Sequence, residues 1–152
     1  MSGRRAADVR VFAVVLGIGG LIPFVVLACL SARNAAGSRE YQHSLLMYAA
    51  SIAAFVGAVH WGLVLREADA TRKHVLQLAW SVVPSLAAWA VTISSEPRAA
   101  LVRMALVLAA CWVVDAVFWA RRAIPAWYFG LRSLLTSVAA ASLVLAGFAG
   151  AG

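Results

Sequence analysis

Three ionisable residues lie inside long apolar stretches of this sequence: His60, Asp115 and Arg132. Ionisable side chains at bilayer depth are costly, so they commonly mark ion pairs, proton relays or ligand sites. Asp115 and Arg132 are equidistant from a turn centred between Ala123 and Ile124. Residues placed in this way lie at equal depth in an antiparallel helical hairpin. The spacing therefore predicts a buried ion pair that joins the last two helices.

His60 has a different setting. It shares one helix face with Ala49, Ala53 and Gly57, so the turns beside the imidazole carry small side chains. This pattern predicts either a groove for a neighbouring helix or a small pocket. In the first case a hydrogen bond to Gln77, at matching depth across the next gap, would satisfy the ring. No acidic residue stands beside His60 in the sequence, and no two histidines are four residues apart, so no metal site is predicted.

His60 and Asp115 have the side chains of a general base and a general acid. The sequence nevertheless has no nucleophile–base motif, no Gly-rich phosphate loop and no zinc motif. We therefore expect a protein that is not an enzyme and that has no cofactor. Trp61 follows His60 directly, and it belongs either to an aromatic belt at the membrane surface or to the lining of a site.

The composition places these residues in a membrane protein, because 64% of the chain is hydrophobic and only 12% is charged. The net charge of +7 lies mainly in short gaps between apolar runs, which indicates contact with lipid head groups rather than with nucleic acid. We predict an all-α protein, a five-transmembrane-helix antiparallel bundle over residues 11–149, preceded by a basic N-terminal tail, residues 1–10. The predicted crossings are Val11–Ala32, Tyr41–Leu65, His74–Ile93, Ala99–Ala120 and Trp127–Gly147.

Basic residues near the helix ends predict the orientation. Nine of them fall on the side of the N-terminus and four on the opposite side. The count predicts a multi-pass protein of the bacterial inner membrane, with a cytoplasmic N-terminus and a periplasmic C-terminus.

Four sequence blocks occur in a recognisable order. They are Gly-Leu-Ile-Pro-Phe at 20–24, His-Trp-Gly at 60–62, Ser-Val-Val-Pro-Ser at 81–85 and Pro-Ala-Trp-Tyr-x-x-Leu-Arg-x-x-Leu-Thr at 125–136. With these blocks the chain resembles the transmembrane protein 69 family, also described as domain of unknown function 3429. The resemblance implies a small multi-helix inner-membrane protein without an established activity. Its motif positions include His60, Trp61 and Arg132, and they add Tyr128 to the candidate residues.

Two functions fit these observations. The sequence predicts a non-enzymatic accessory or assembly subunit that lies in membrane lipid and binds another membrane protein or a second copy of the chain. The alternative is a site in the inner leaflet that binds a quinone, porphyrin or lipid, or that transports one. That site would be lined by the candidate residues His60, Trp61, Asp115, Tyr128 and Arg132.

Overall fold

The computed structural model of the chain describes residues 2–34, 36–66, 72–93 and 96–149. The described residues form helices and turns, with no strand among them. Within these described ranges, five spans are long and apolar enough to cross a membrane, which confirms the predicted five-helix membrane bundle. The helices are α1 (Ser2–Gly19), α2 (Ile22–Arg33), α3 (Ser38–Val64), α4 (Arg72–Thr92), α5 (Pro97–Ala120) and α6 (Ala126–Phe148).

The first crossing consists of two helices, because a turn at Gly20 and Leu21 interrupts the helix between α1 and α2. The break lies just before Pro23, where the sequence predicts a bend. Pro23 occupies the first turn of α2, so its missing N–H group costs no helical hydrogen bond there. The Tyr48 hydroxyl donates a hydrogen bond of 2.8 Å to the Gly20 carbonyl oxygen. A side chain of α3 thus satisfies backbone that the break exposes within the membrane.

α3 packs against its neighbours through one face of small residues. Ala49 and Ala53 are fully buried on this face, and Gly57 is buried beside them. A methyl group added at Gly57 would overlap the Ser81 carbonyl oxygen and would lie 3.2 Å from Pro84 Cγ, so glycine is what lets α3 and α4 approach.

A second ridge of small residues on α3 is less buried than the first. Its residues repeat every four positions, and each such step rotates the ridge by about 40° around a helix of 3.6 residues per turn. The ridge therefore turns away from the bundle interior along its length, from half-buried to exposed. It comprises Ala50, Ala54, Ala58 and Gly62.

The core lies among α2, α3, α5 and α6. Its largest fully buried hydrophobic side chains are Phe24, Leu45, Leu101, Met104 and Leu143.

The end of the bundle opposite the N-terminus is held by polar contacts. Gln42 Nε2 donates to the carbonyl oxygens of Ala146, at 2.8 Å, and of Ala149, at 3.0 Å. These bonds tie the start of α3 to the end of α6, where the last carbonyls of a helix have no partner within the helix.

α1 is the outlying part of the bundle. Within the most apolar stretch of the first crossing, 11% of the residues are buried, against 22% to 33% in the other four crossings. α1 approaches α6 at Gly17, where an added methyl group would lie 3.1 Å from Leu135 Cδ1. From Val11 to Gly19 the helix is apolar and its larger side chains mostly face outward, as expected for a helix in contact with lipid.

Candidate functional site

The turn between α5 and α6 sets the register of the predicted ion pair. Arg122 adopts a left-handed conformation, with φ of 59°. Its N–H donates to Trp119 O at 2.8 Å, and the Ala123 N–H donates to Phe118 O at 2.9 Å. This pair of bonds is the Schellman arrangement that ends a helix. Pro125 then starts α6 in the opposite direction, so α5 and α6 become antiparallel neighbours.

Asp115 and Arg132 meet across this hairpin, as their spacing predicts. Arg132 Nε and Nη2 both lie 2.8 Å from Asp115 Oδ2. Asp115 is 3% exposed and Arg132 is 8% exposed. The predicted ion pair is therefore present, and little of either side chain can reach solvent or lipid.

His60 completes a triad around the same carboxylate. Its Nε2 lies 3.0 Å from Asp115 Oδ1, and the residue is 2% exposed. We call His60, Asp115 and Arg132 the polar triad. It connects α3, α5 and α6 at one depth, and it uses both oxygens of the single carboxylate.

The predicted hydrogen bond between His60 and Gln77 is wrong. Asp115 is the hydrogen-bond partner of the imidazole, and the buried Nδ1 has no partner in the part of the chain that the structure describes. The sequence suggested Gln77 because α3 and α4 are consecutive helices. The true partner lies on α5, 55 positions away, and no local spacing reports a contact between helices that are not consecutive.

Aromatic side chains surround the triad. The Phe118 ring lies over the imidazole, with 4.7 Å between the ring centroids. On the next face of the hairpin, Trp112 Nε1 donates to Ser133 Oγ at 2.8 Å, and Trp119 stacks on Phe129 with 4.8 Å between the centroids. The last two contacts also join α5 to α6.

The other two candidates are placed differently. Trp61 is 47% exposed and points away from the triad, because consecutive residues of a helix are about 100° apart. The structure therefore does not bring Trp61 to the cluster. Tyr128 is half-buried and lies one helical turn before Arg132 on α6, so the two side chains share a face.

That face of α6 lines a cavity of about 410 Å³ between the first crossing, α3, α5 and α6. The volume is within the range of about 300–1,000 Å³ that is typical of small-molecule sites. Its wall is mainly apolar and includes Ala13 and Gly17 of α1, Phe24 of α2 and Val56 of α3. α6 contributes three polar residues, Tyr128, Arg132 and Thr136, which we call the α6 stripe.

Arg132 links the triad to the cavity, because it belongs to both. His60 and Asp115 are not among the residues that line the cavity. The sequence reasoning missed the cavity and Thr136 as part of its wall. The only available signal was the spacing of positions 128, 132 and 136, which repeat every four residues within the Pro125–Thr136 block. Among the described residues, no group of three or more His, Cys, Asp or Glu side chains is arranged to hold a metal ion.

The fold and the site define a multi-pass helical membrane protein with a buried ionic triad beside an apolar cavity. The family model described as "Protein of unknown function (DUF3429)" matches residues 9–148, and the chain belongs to this family. This confirms the resemblance that the sequence blocks indicate.

Curated relatives agree with this membership. Transmembrane protein 69 of Xenopus tropicalis is 33% identical over 135 residues, which cover 87% of this chain and 52% of that protein. Transmembrane protein 69 of Mus musculus is 28% identical over 133 residues, which cover 88% of this chain and 54% of that protein. The chain thus spans about half the length of the curated relatives it matches. No solved structure matches it.

Proposed function

We propose that this chain is a non-enzymatic membrane protein that binds a small lipid-soluble molecule in the cavity beside α6. One observation carries the proposal: an apolar cavity of ligand size has a single charged residue in its wall, and that residue is held in place by the triad. Small-molecule sites typically combine an apolar lining with a few fixed polar groups. Arg132 is such a group, because two bonds to Asp115 fix the guanidinium.

The arrangement of the triad favours binding over catalysis. General acid–base catalysis needs a side chain within hydrogen-bond reach of the substrate. His60 and Asp115 lie behind Arg132, outside the cavity wall, and both carboxylate oxygens are already paired. The residues of the cavity wall that carry polar groups, Tyr128, Arg132 and Thr136, have the hydrogen-bonding groups needed to orient a ligand.

The test is to fill the cavity without touching the triad. The full chain, purified in a mild non-ionic detergent, is expected to retain a small molecule from the membrane, which native mass spectrometry detects as added mass. Ala13→Phe places a ring in the cavity wall on α1 and should abolish retention. Val15→Phe is the matched control, because Val15 lies on the same helix, is 59% exposed and does not line the cavity. Equal retention by both variants, or no retained molecule in the unmodified chain, would contradict the proposal.

A second candidate function is that of an accessory subunit, and the outward surface of α1 favours it. Phe12 is 69% exposed and Leu16 is 72% exposed on this weakly packed helix. A helix with so few contacts inside the bundle has most of its surface available to a helix of another membrane protein or of a second copy. A photo-crosslinking residue at Phe12 should then give one adduct of defined mass, whereas the same residue at Leu145, 66% exposed on α6, should react with lipid alone. A stable monomer with no adduct at Phe12 would exclude this function.

We further propose that the chain resides in the bacterial inner membrane with its N-terminus in the cytoplasm. The support is the excess of basic residues on the N-terminal side, nine against four. Single cysteines at Arg66 and Arg39, in a chain lacking Cys29 and Cys111, report the two sides. A membrane-impermeant maleimide added to spheroplasts should label the cysteine at position 39 only. Labelling at position 66 instead would reverse the orientation.

A further inference from the structure

The charge balance of the triad indicates which chemical class of ligand the cavity accepts. A carboxylate only accepts hydrogen bonds, so His60 Nε2 must carry the proton in its 3.0 Å contact with Asp115. Among the described residues, the buried His60 Nδ1 has no hydrogen-bond partner. The triad thus pairs one guanidinium with one carboxylate at 2.8 Å, and the imidazole occupies the second carboxylate oxygen.

The one charged residue in the cavity wall is already paired, and this disfavours a charged ligand. Asp115, behind the wall, neutralises Arg132 at 2.8 Å, so an anionic head group would enter the cavity with little compensating charge. A cationic head group would approach a residue that is itself positive. The hydrogen-bonding chemistry that remains at the wall is largely donation: three of the five guanidinium N–H groups are not used on Asp115, and Tyr128 has a hydroxyl.

The α6 stripe also gives the ligand a direction. Tyr128, Arg132 and Thr136 follow one another along one face of α6 at intervals of about 6 Å. Tyr128 is the member closest to the start of α6, which lies on the same side of the membrane as the start of α1. Beyond Thr136 the wall is apolar, with Phe24 and Ala139. A ligand with one polar end would place that end near the membrane surface and its apolar body toward the membrane centre.

We propose that the ligand is an uncharged amphiphile whose polar end carries a carbonyl oxygen, accepting hydrogen bonds from Tyr128 and Arg132. The inference rests on the proposed ligand-binding function and specifies it. A lipid-soluble quinone and a neutral glyceride are two sources of the same chemistry, since each joins an apolar body to carbonyl oxygens without a charge.

Three probes and one substitution test the proposal. The full chain in dodecyl maltoside is titrated with decylubiquinone, with dioleoylglycerol and with hexadecyl sulfonate, which is charged at every pH, and binding is followed by native mass spectrometry. At least one neutral probe should bind one per chain, and the sulfonate should bind at least 10-fold more weakly. Tyr128→Phe should weaken the neutral probe about 2- to 10-fold, the loss expected for one hydrogen bond. Tyr41→Phe, on α3 and outside the cavity wall, is the control and should leave binding unchanged.

Each outcome decides between the two proposals. Preference for decylubiquinone or for dioleoylglycerol supports the uncharged class and identifies its source. Tighter binding of the sulfonate, or equal affinity in the Tyr128→Phe variant, overturns the inferred ligand class and leaves the binding function in place. The binding function itself is overturned if none of the three probes binds and if the Ala13→Phe variant retains as much small molecule as the unmodified chain.

Discussion

Removing the charge of Asp115 should destabilise the bundle strongly, because it strands a buried cation. Asp115→Asn keeps the size of the side chain but leaves the Arg132 guanidinium, 8% exposed, without its carboxylate. Breaking a buried ion pair from one side typically costs about 3–5 kcal/mol. Neutral hydrogen bonds between membrane helices average only about 0.6 kcal/mol, because the unfolded chain also finds partners in the membrane. Since two atoms of a charged group lose their partner, we expect a loss of about 3 kcal/mol, or roughly a hundredfold in the folding equilibrium.

The measurement is a double-mutant cycle. The free energy of unfolding is obtained by SDS titration in mixed micelles, followed by circular dichroism, for Asp115→Asn, for Arg132→Met and for both together. The double variant should be more stable than the sum of the single losses predicts, by about 1.5 kcal/mol or more, because neither charge is then stranded. Arg121→Met, at an exposed position after α5, is the control and should stay within about 0.5 kcal/mol of the unmodified chain. Losses that add to within about 0.5 kcal/mol would show that the two residues do not stabilise each other, and would refute the reasoning.

Three further substitutions test the packing that positions the site, each read as the free energy of unfolding in the same assay. Gly57→Ala should destabilise the bundle by about 1–3 kcal/mol, because its methyl group overlaps a carbonyl of α4. Gly62→Ala is the control: its methyl group meets no atom within 4 Å and should cost no stability. Equal effects of the two substitutions would contradict the close approach of α3 and α4. Tyr48→Phe should cost about 0.6 kcal/mol through the lost neutral bond to the break in the first crossing, and an unchanged value would show that water or another group takes its place. Gln42→Leu removes two bonds to the end of α6 and should cost about 1–2 kcal/mol, whereas a neutral result would mean that those carbonyls find other donors.

The parts of this protein that the sequence predicts correctly are those that depend on neighbouring helices. The five crossings follow from the length and apolarity of the segments. The pairing of Asp115 with Arg132 follows from a short turn, which leaves an antiparallel hairpin essentially one register. The first inference uses each segment by itself, and the second uses only the short turn between α5 and α6.

The parts that the sequence did not predict depend on helices that are far apart in the chain. His60 reaches Asp115 because α3 packs against α5 as well as α4, and the order of the helices does not specify that contact. Trp61 looked like a member of the cluster because it follows His60, but one helical step of rotation turns it outward. The cavity arises where the broken first crossing meets α3, α5 and α6, so its wall combines distant segments that no motif joins.

The pairing of the first crossing with the last has a consequence for how the protein is made. α1 and α2 both pack against α6, which leaves the ribosome after α1 to α5. Until α6 is inserted, α1 and α2 lack this neighbour and Asp115 lacks Arg132. A nascent chain halted before α6 therefore places Asp115 in the bilayer without the guanidinium that pairs with it in the complete bundle.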